Sequence, residues 1–309
     1  MIYLGFDTSN YTTSVAACSG KEVINIRKIL TVKTGERGLR QSDALFQHIK
    51  TLPDLYSQLV QRTDIKKAAA AAVSTRPRSV EGSYMPVFLA GEGYAKTIAG
   101  TLGIPLLRLS HQDGHIMAGI DSCDAHFLFK KKFISVHLSG GTCEILLTQY
   151  TPPGFSCEII GGTKDISAGQ LIDRTGVAMG MSFPCGKELE ALALSAKSYE
   201  ILPSNTDGAY INFSGAETKT LSLIGKKENS SLALGLLKAI AKSLCSAIDF
   251  AAENCGVSDV LIVGGVASNS VIKSYLKEKS RLNLFFSSPE MSTDNACGIA
   301  RLCDLAFSL

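Results

Sequence analysis

The feature that most constrains this chain is a pattern that occurs twice: an apolar strand, a turn rich in hydroxyls or glycine, and a second apolar strand. The first copy runs Ile2-Tyr3-Leu4-Gly5-Phe6, then Asp7-Thr8-Ser9-Asn10-Tyr11-Thr12-Thr13, then Ser14-Val15-Ala16-Ala17. The second runs Phe133-Ile134-Ser135-Val136-His137-Leu138 into Ser139-Gly140-Gly141-Thr142 and out through Glu144-Ile145-Leu146-Leu147. Each reads as a β-hairpin. A third unit, Val260-Leu261-Ile262-Val263 followed by Gly264-Gly265, comes after a helical stretch in which Leu237, Ile240, Leu244, Ala247 and Ala251 mark one face. Gly256 stands where the C-cap of that helix belongs. Further helices are expected over about 86–100, 111–120, 167–181, 187–197, 270–280 and 295–307.

Two such units, each followed by α/β segments, imply two lobes of similar build: residues 1–125, with a C-terminal helix at 295–309 packing back onto them, and residues 126–294. This is the layout of the actin-like, sugar-kinase-like ATPase fold, an α/β architecture of two RNase H-like lobes around a nucleotide cleft. Turns rich in Gly, Ser and Thr expose backbone N–H and hydroxyl donors without bulky side chains in the way, so the two tips are expected to grip phosphates from both sides. One such turn alone is an ordinary tight hairpin. Two in this order, with a Gly-Gly after a buried strand, are specific.

Composition narrows the class without selecting a partner. Hydrophobic residues at 45% and charged residues at 19% exclude disordered and collagen-like chains, and a net charge of +3 falls short of a strongly basic nucleic-acid-binding domain. No signal peptide or membrane-crossing run is read, so a cytoplasmic protein with no membrane partner is expected. The nine cysteines show no C-x-x-C spacing and are expected to be reduced, mostly buried small apolar residues.

The sharpest local signal is Ser110-His111-Gln112-Asp113-Gly114-His115. On a helix capped by Ser110, His111 and His115 lie one turn apart on one face, where two imidazoles can share a metal. The spacing alone is equally compatible with two partly exposed histidines at a helix start. A metal site needs at least one more ligand, and a carboxylate is available at Asp294, in Ser292-Thr293-Asp294-Asn295-Ala296. The ordinary role of such a residue is a plain helix N-cap.

Seven motifs then occur in the order and approximate spacing of one family. They are His111-x-x-x-His115, Ser139-Gly140-Gly141-Thr142, Asp165 through Arg174 (DISAGQLIDR), Pro184-Cys185-Gly186, Phe213-Ser214-Gly215, Gly264-Gly265-Val266-Ala267-Ser268-Asn269 and Thr293-Asp294-Asn295-Ala296. The chain resembles, over nearly its whole length, the TsaD family, the catalytic subunit of tRNA threonylcarbamoyladenosine synthesis, historically called a glycoprotease. The resemblance implies a metal-dependent acyltransferase. It would move the threonylcarbamoyl group from threonylcarbamoyl-AMP to the exocyclic amine of an adenosine in the tRNA anticodon loop, working with companion subunits. Carried over residue by residue, the family's metal ligands fall on His111, His115 and Asp294, for one divalent ion, Fe or Zn. Its contacts to ATP, AMP or threonylcarbamoyl-AMP, with or without Mg, fall on His137, Leu138, Ser139, Gly140, Gly141, Asp173, Gly186 and Asn269. No protein nucleophile is implied, and no local motif supports a Ser-His-Asp or Cys-His protease.

The departures from the family concern its macromolecular partner. A usual Gly-Pro-Gly turn is Arg76-Pro77-Arg78 here, which places two cations where free backbone was. The family's Glu-Thr-Ser is Asp7-Thr8-Ser9, its metal-helix acid is Asp113, the residue before His111 is Ser110 where many members carry His, and a common Leu-Lys-Thr is Ala216-Glu217-Thr218. If the tRNA reading holds, Arg76, Arg78 and Lys130-Lys131-Lys132 are expected to border the cleft on the tRNA side, while Glu217 opposes a phosphate contact. The alternative is a divergent paralogue that binds ATP or an acyl-adenylate and a metal but serves another acceptor or a regulatory role. A sugar or acetate kinase of the same fold is disfavoured by the histidine pair.

Overall fold

The computed structural model describes residues 1–9, 11–32, 39–293 and 295–308. It forms two compact units: Met1–His126 with Tyr150–Ser156 and Thr293–Leu309, and Phe127–Gln149 with Cys157–Ser292. A cut at 125/126 therefore leaves out Tyr150–Ser156, which clusters with the first unit; there the backbone N–H of Phe155 donates to the buried Asp113 carboxylate at 2.8 Å.

In the first unit, Ile2–Asp7 (β1), Thr12–Ser19 (β2) and Glu22–Ile29 (β3) make an antiparallel meander. After Gln41–Arg62 (α1), Ala68–Arg76 (β4) pairs in parallel with β1. Phe88–Leu102 (α2) leads to Leu106–Ser110 (β5), parallel to β4, and then to His111–Ser122 (α3). The strand order is β3-β2-β1-β4-β5. All of β1 is buried, and the five consecutive alanines of β4 let helices approach closely, which is why these strands read as continuous apolar runs without alternation. The sequence reading missed α1. Its buried residues Ala44, His48, Leu52, Leu55 and Leu59 keep helical spacing, but Pro53 lies inside the helix and breaks the local pattern.

In the second unit, Phe133–Leu138 (β6), Cys143–Thr151 (β7) and Gly154–Thr163 (β8) precede Ala168–Ala178 (α4) and Gly186–Leu194 (α5). Asn205–Asp207 (β9), Tyr210–Asn212 (β10), Ser214–Leu223 (α6), Asn229–Cys255 (α7), Asp259–Val263 (β11), Ser270–Lys279 (α8) and Asn283–Phe286 (β12) complete it. The order is β12-β11-β6-β7-β8-β10-β9. Its segment β8-β7-β6-β11-β12 repeats the order of the first sheet, so the repeat visible in the sequence is a repeat of topology, that of the RNase H-like lobe. Among the described residues α7 alone has the length and hydropathy to cross a membrane, contrary to the reading that no run approaches it. Yet 78% of its apolar window is buried, against the sheet and α5, α6 and α8, and it is the core helix of this unit. Gly256 ends it in the left-handed conformation at φ 64°.

The last helix, Cys297–Phe307 (α9), belongs to the first unit and meets β1 and α3 at backbone contact. A Cβ on Gly5 would stand 2.6 Å from the Ala296 carbonyl oxygen, and one on Gly298 would stand 1.9 Å from that of Gly114. Arg301 fastens the far side, donating to Asp121 at 2.6 Å and to the carbonyls of Gly20 and Lys21 in the β2–β3 turn. Gly298→Ala forces α9 away from α3 and is expected to cost about 1–3 kcal/mol, as overpacked cores do. Denaturant midpoints measure this, and an unchanged midpoint would refute the contact.

Candidate active site

Two groups of side chains carry chemistry, one in each unit. In the first, α3 begins where the sequence places it. Ser110 Oγ accepts from Asp113 N at 3.1 Å and the Asp113 carboxylate accepts from Ser110 N at 2.8 Å, a reciprocal capping box. Asp113 also accepts from Ser79 Oγ and Phe155 N, so its carboxylate is fully engaged in structure. His111 and His115 face each other with ring centroids 4.3 Å apart, edge to face. His115 is buried and not partly exposed.

Behind His111 stands Asp7, the last residue of β1 and wholly buried. Its Oδ1 lies 3.1 Å from His111 Nδ1 and accepts from Ser74 Oγ on β4, while Oδ2 accepts from Ser9 Oγ at 2.5 Å. Burial pushes this carboxyl up, but the charge and hydrogen bond of His111 and the hydroxyls of Ser74 and Ser9 outweigh it and hold it below the usual carboxylate range. Sequence reasoning had placed Asp7 only in a hydroxyl-rich tip. The available signal was a lone acid at the end of a buried strand.

Two of the three expected donors, His111 and His115, lie together in the first unit, and among the described residues no group of three or more His, Cys, Asp and Glu side chains could hold a metal ion. Two imidazoles converge, and the Nδ1 of one is engaged by a carboxylate. Asp294 lies outside the described residues. Its neighbours are tied down: Thr293 Oγ1 accepts from Arg27 on β3, Ala296 N donates to Ser14 Oγ on β2 at 2.9 Å, and Asn295 Oδ1 accepts from Cys297 N at 3.0 Å.

Several side chains of the first hairpin tip are engaged within the protein. Thr8 accepts from Gly91 N and donates to Val87 O, Thr13 is paired with His48, and Ser14 donates to Asn25, all of these hydroxyl-bearing residues being buried. The Thr8, Ser9, Thr13 and Ser14 hydroxyls are thus bonded within the protein. The second tip differs. Ser139 Oγ accepts from Thr142 N, closing the turn, and Gly140 and Gly141 are exposed, with open space where a Cβ would stand.

The other elements of the second unit converge on that tip. Ser167, the N-cap of α4, donates to Gly140 O at 2.6 Å, and a Cβ on Gly169 would come within 2.3 Å of Gly140 Cα. Gly264, at φ 105°, lies against the Leu138 carbonyl. The tip, the N-terminus of α4 and the Gly264 turn thus share the carboxyl end of the parallel pair β6–β11, where open α/β sheets bind ligands. His137, half-buried, lies opposite Val263 and Glu144 in the ladder. Asp173 on α4 accepts from Cys185 N at 2.8 Å, which positions the turn entering α5 at Gly186, and burial pushes its carboxyl up. Asn269, buried, caps α8 through its side-chain oxygen. Glu190, absent from the sequence reading, accepts from Ser270 N and Oγ and so ties the start of α8 to α5.

The nine cysteines are free thiols, and burial pushes those of Cys143 and Cys297 up to about 12 and those of Cys123 and Cys245 to about 11. Such thiols are poor nucleophiles at neutral pH.

The pattern of the TsaD family, described as tRNA N6-adenosine threonylcarbamoyltransferase, matches residues 22–301. The chain belongs to the TsaD family. Proteins named tRNA N6-adenosine threonylcarbamoyltransferase are similar along nearly all of it. That of Riemerella anatipestifer is 27% identical over 99% of this chain and 93% of its own, and that of Thermus thermophilus 29% identical over 97% and 91%. Membership makes this chain a transferase. Its fold is that of the (R)-2-hydroxyglutaryl-CoA dehydratase component A of Acidaminococcus fermentans (TM-score 0.58, 16% identity, 97% of this chain and 96% of that one). A glucokinase from Streptomyces griseus shares it (TM-score 0.57, 8% identity, 100% of each chain).

Set against the TsaD pattern, the departures acquire positions. Residues 76–78 rest on the start of α3, where Pro77 O accepts from Gln112 N at 3.0 Å. Glu217 is paired with Arg174 of α4 at 3.3 Å. Residues 130–132 precede β6 and lie at the opposite end of that strand from the 139–142 turn. Lys131 is bound there to Asp259 at 2.6 Å and lies over the Phe127 ring.

Asp165, the first residue of the DISAGQLIDR motif, accepts from the backbone N–H groups of Phe213 and Ser214 at the start of α6. Burial pushes its carboxyl up, but these bonds prevail and its pKa is lowered. A lowered folded-state pKa gives stability that is present above the ordinary aspartate value of about 3.9 and lost as pH falls through the folded value. Asp165→Asn is therefore expected to cost about 1 kcal/mol at pH 7, typical of a lost helix-start acceptor, and the gap to the unmutated protein should close on acidification. Urea titrations at pH 7 and pH 3 test this, and a gap independent of pH would refute the assignment.

Proposed function

We propose that this chain transfers a threonylcarbamoyl group from threonylcarbamoyl-AMP to the exocyclic amine of an adenosine in the tRNA anticodon loop, as a cytoplasmic, metal-dependent enzyme with companion subunits. The observation that carries the reading is the pair His111 and His115, kept in the family's position with rings 4.3 Å apart. A divalent ion, Fe or Zn, held by His111, His115 and Asp294 would supply Lewis-acid polarisation of the carbamoyl carbonyl.

The chain's own residues bind and orient. Gly140 and Gly141 leave room for the phosphate of the adenylate, with Mg or without it, at the N-terminus of α4, where helix N–H groups favour an anion. Asp173 accepts ribose hydroxyls beside the Gly186 turn, and the Asn269 amide donates to the sugar or base. His137, Leu138 and Ser139 hold the strand end and turn in place. The buried thiols offer no competing nucleophile, which supports direct attack by the acceptor amine on the carbamoyl carbon with AMP as leaving group.

One observation favours the second reading, a nucleotide- and metal-binding paralogue with another acceptor. Position 217 is acidic and paired with Arg174, so it offers no cation to the phosphate a lysine would attract. Threonylcarbamoyl-AMP and unmodified tRNA, supplied with and without companion subunits, should give modified adenosine by nucleoside mass spectrometry. No product under either condition would remove tRNA as the acceptor. For the nucleotide site, Gly141→Val meets no protein atom, so stability should stay unchanged while calorimetric AMP affinity falls at least tenfold, about 1.4 kcal/mol. Unchanged affinity would place the nucleotide elsewhere.

A further inference from the structure

We infer that Asp7 is a positioning residue for His111: its carboxylate takes the Nδ1 proton, fixes the ring and directs the Nε2 lone pair toward the face shared with His115. The inference rests on the metal reading above but concerns a residue outside the ligand set. An ionised carboxylate only accepts hydrogen bonds, so at 3.1 Å from Asp7 Oδ1 the His111 ring, charged or neutral, must carry a proton on Nδ1, and its neutral form is held as the Nδ1 tautomer. Nε2 is then the basic nitrogen.

Asp7 is itself locked. It ends a fully buried strand, and Ser74 and Ser9 bond its two oxygens from β4 and from the turn. A carboxylate so constrained cannot follow His111, so the ring follows the carboxylate. This is the role an outer carboxylate plays behind a metal-bound imidazole, where it sets tautomer and orientation and raises ligand basicity. A purely structural Asp7 would tie α3 to β1 through the same hydrogen bond without changing the affinity of the histidine pair for a metal.

The experiment reads both properties in purified full-length protein. In the metal-free protein, 15N NMR of the histidine rings, with His111→Gln assigning the signal, should show His111 protonated at Nδ1. A neutral ring with its proton on Nε2 overturns the proposal without any demand on a variant's folding. Titration with Zn(II) should then give one site in the unmutated protein. Asp7→Asn should weaken it ten- to a hundredfold with unchanged stoichiometry, while Asp7→Glu, which keeps the charge, should recover part of the loss. Asp7→Asn with unchanged affinity overturns the positioning role and leaves the metal reading standing. If the unmutated protein binds no Zn(II), Fe(II) or Co(II), the metal reading fails, and the inference with it.

Discussion

The first unit depends on the backbone contact between α9 and α3. Two helices approach this closely only where one offers no side chain, and Gly298 against the Gly114 carbonyl meets that condition while Gly5 meets it against Ala296 and Ala300. The contact brings the end of the chain back to its first strand and sets the segment preceding α9 beside β2 and β3, where Ser14 and Arg27 hold it. Thr293 and Asn295, far along the chain from the two histidines, thereby belong to the unit that carries them. Arg301, bonded to Asp121 and to the β2–β3 turn, prevents α9 from sliding along its axis.

The second unit uses the same device at its candidate site. Gly169 admits the N-terminus of α4 to the Gly140 backbone, and Gly264 admits the β11 turn to Leu138. Glycines in contact with protein and glycines facing open space therefore do different work. Gly169 and Gly264 assemble the turn. Gly140, Gly141 and Gly186 leave it uncovered.

The two hairpins, similar as sequence, differ in what surrounds their tips. The hydroxyls of the first tip are buried and spent on Val87, Gly91, His48 and Asn25, and its acid anchors His111. The second keeps its glycines exposed and receives a helix N-terminus. A buried hydroxyl must find a partner or cost free energy, which is why Thr8, Thr13 and Ser14 are bonded within the protein.

The local sequence determined what depends on near neighbours. The Ser110–Asp113 capping box, the left-handed Gly256, the doubled hairpin and the one-turn spacing of His111 and His115 are short-range properties, and they stood in the residues themselves. The family membership was legible for a related reason: ordered motifs survive in a linear text. Sequence could not show that Asp7 turns toward His111, that Glu190 holds Ser270, that Glu217 answers Arg174, or that Lys131 is taken by Asp259 at the far end of β6. Each of these is a contact between residues 43 or more apart, and the partner of a charged or polar side chain is chosen by the packing of the surrounding strands and helices. Tertiary structure decides it because a buried charge must be met by whatever group the fold brings within hydrogen-bond reach.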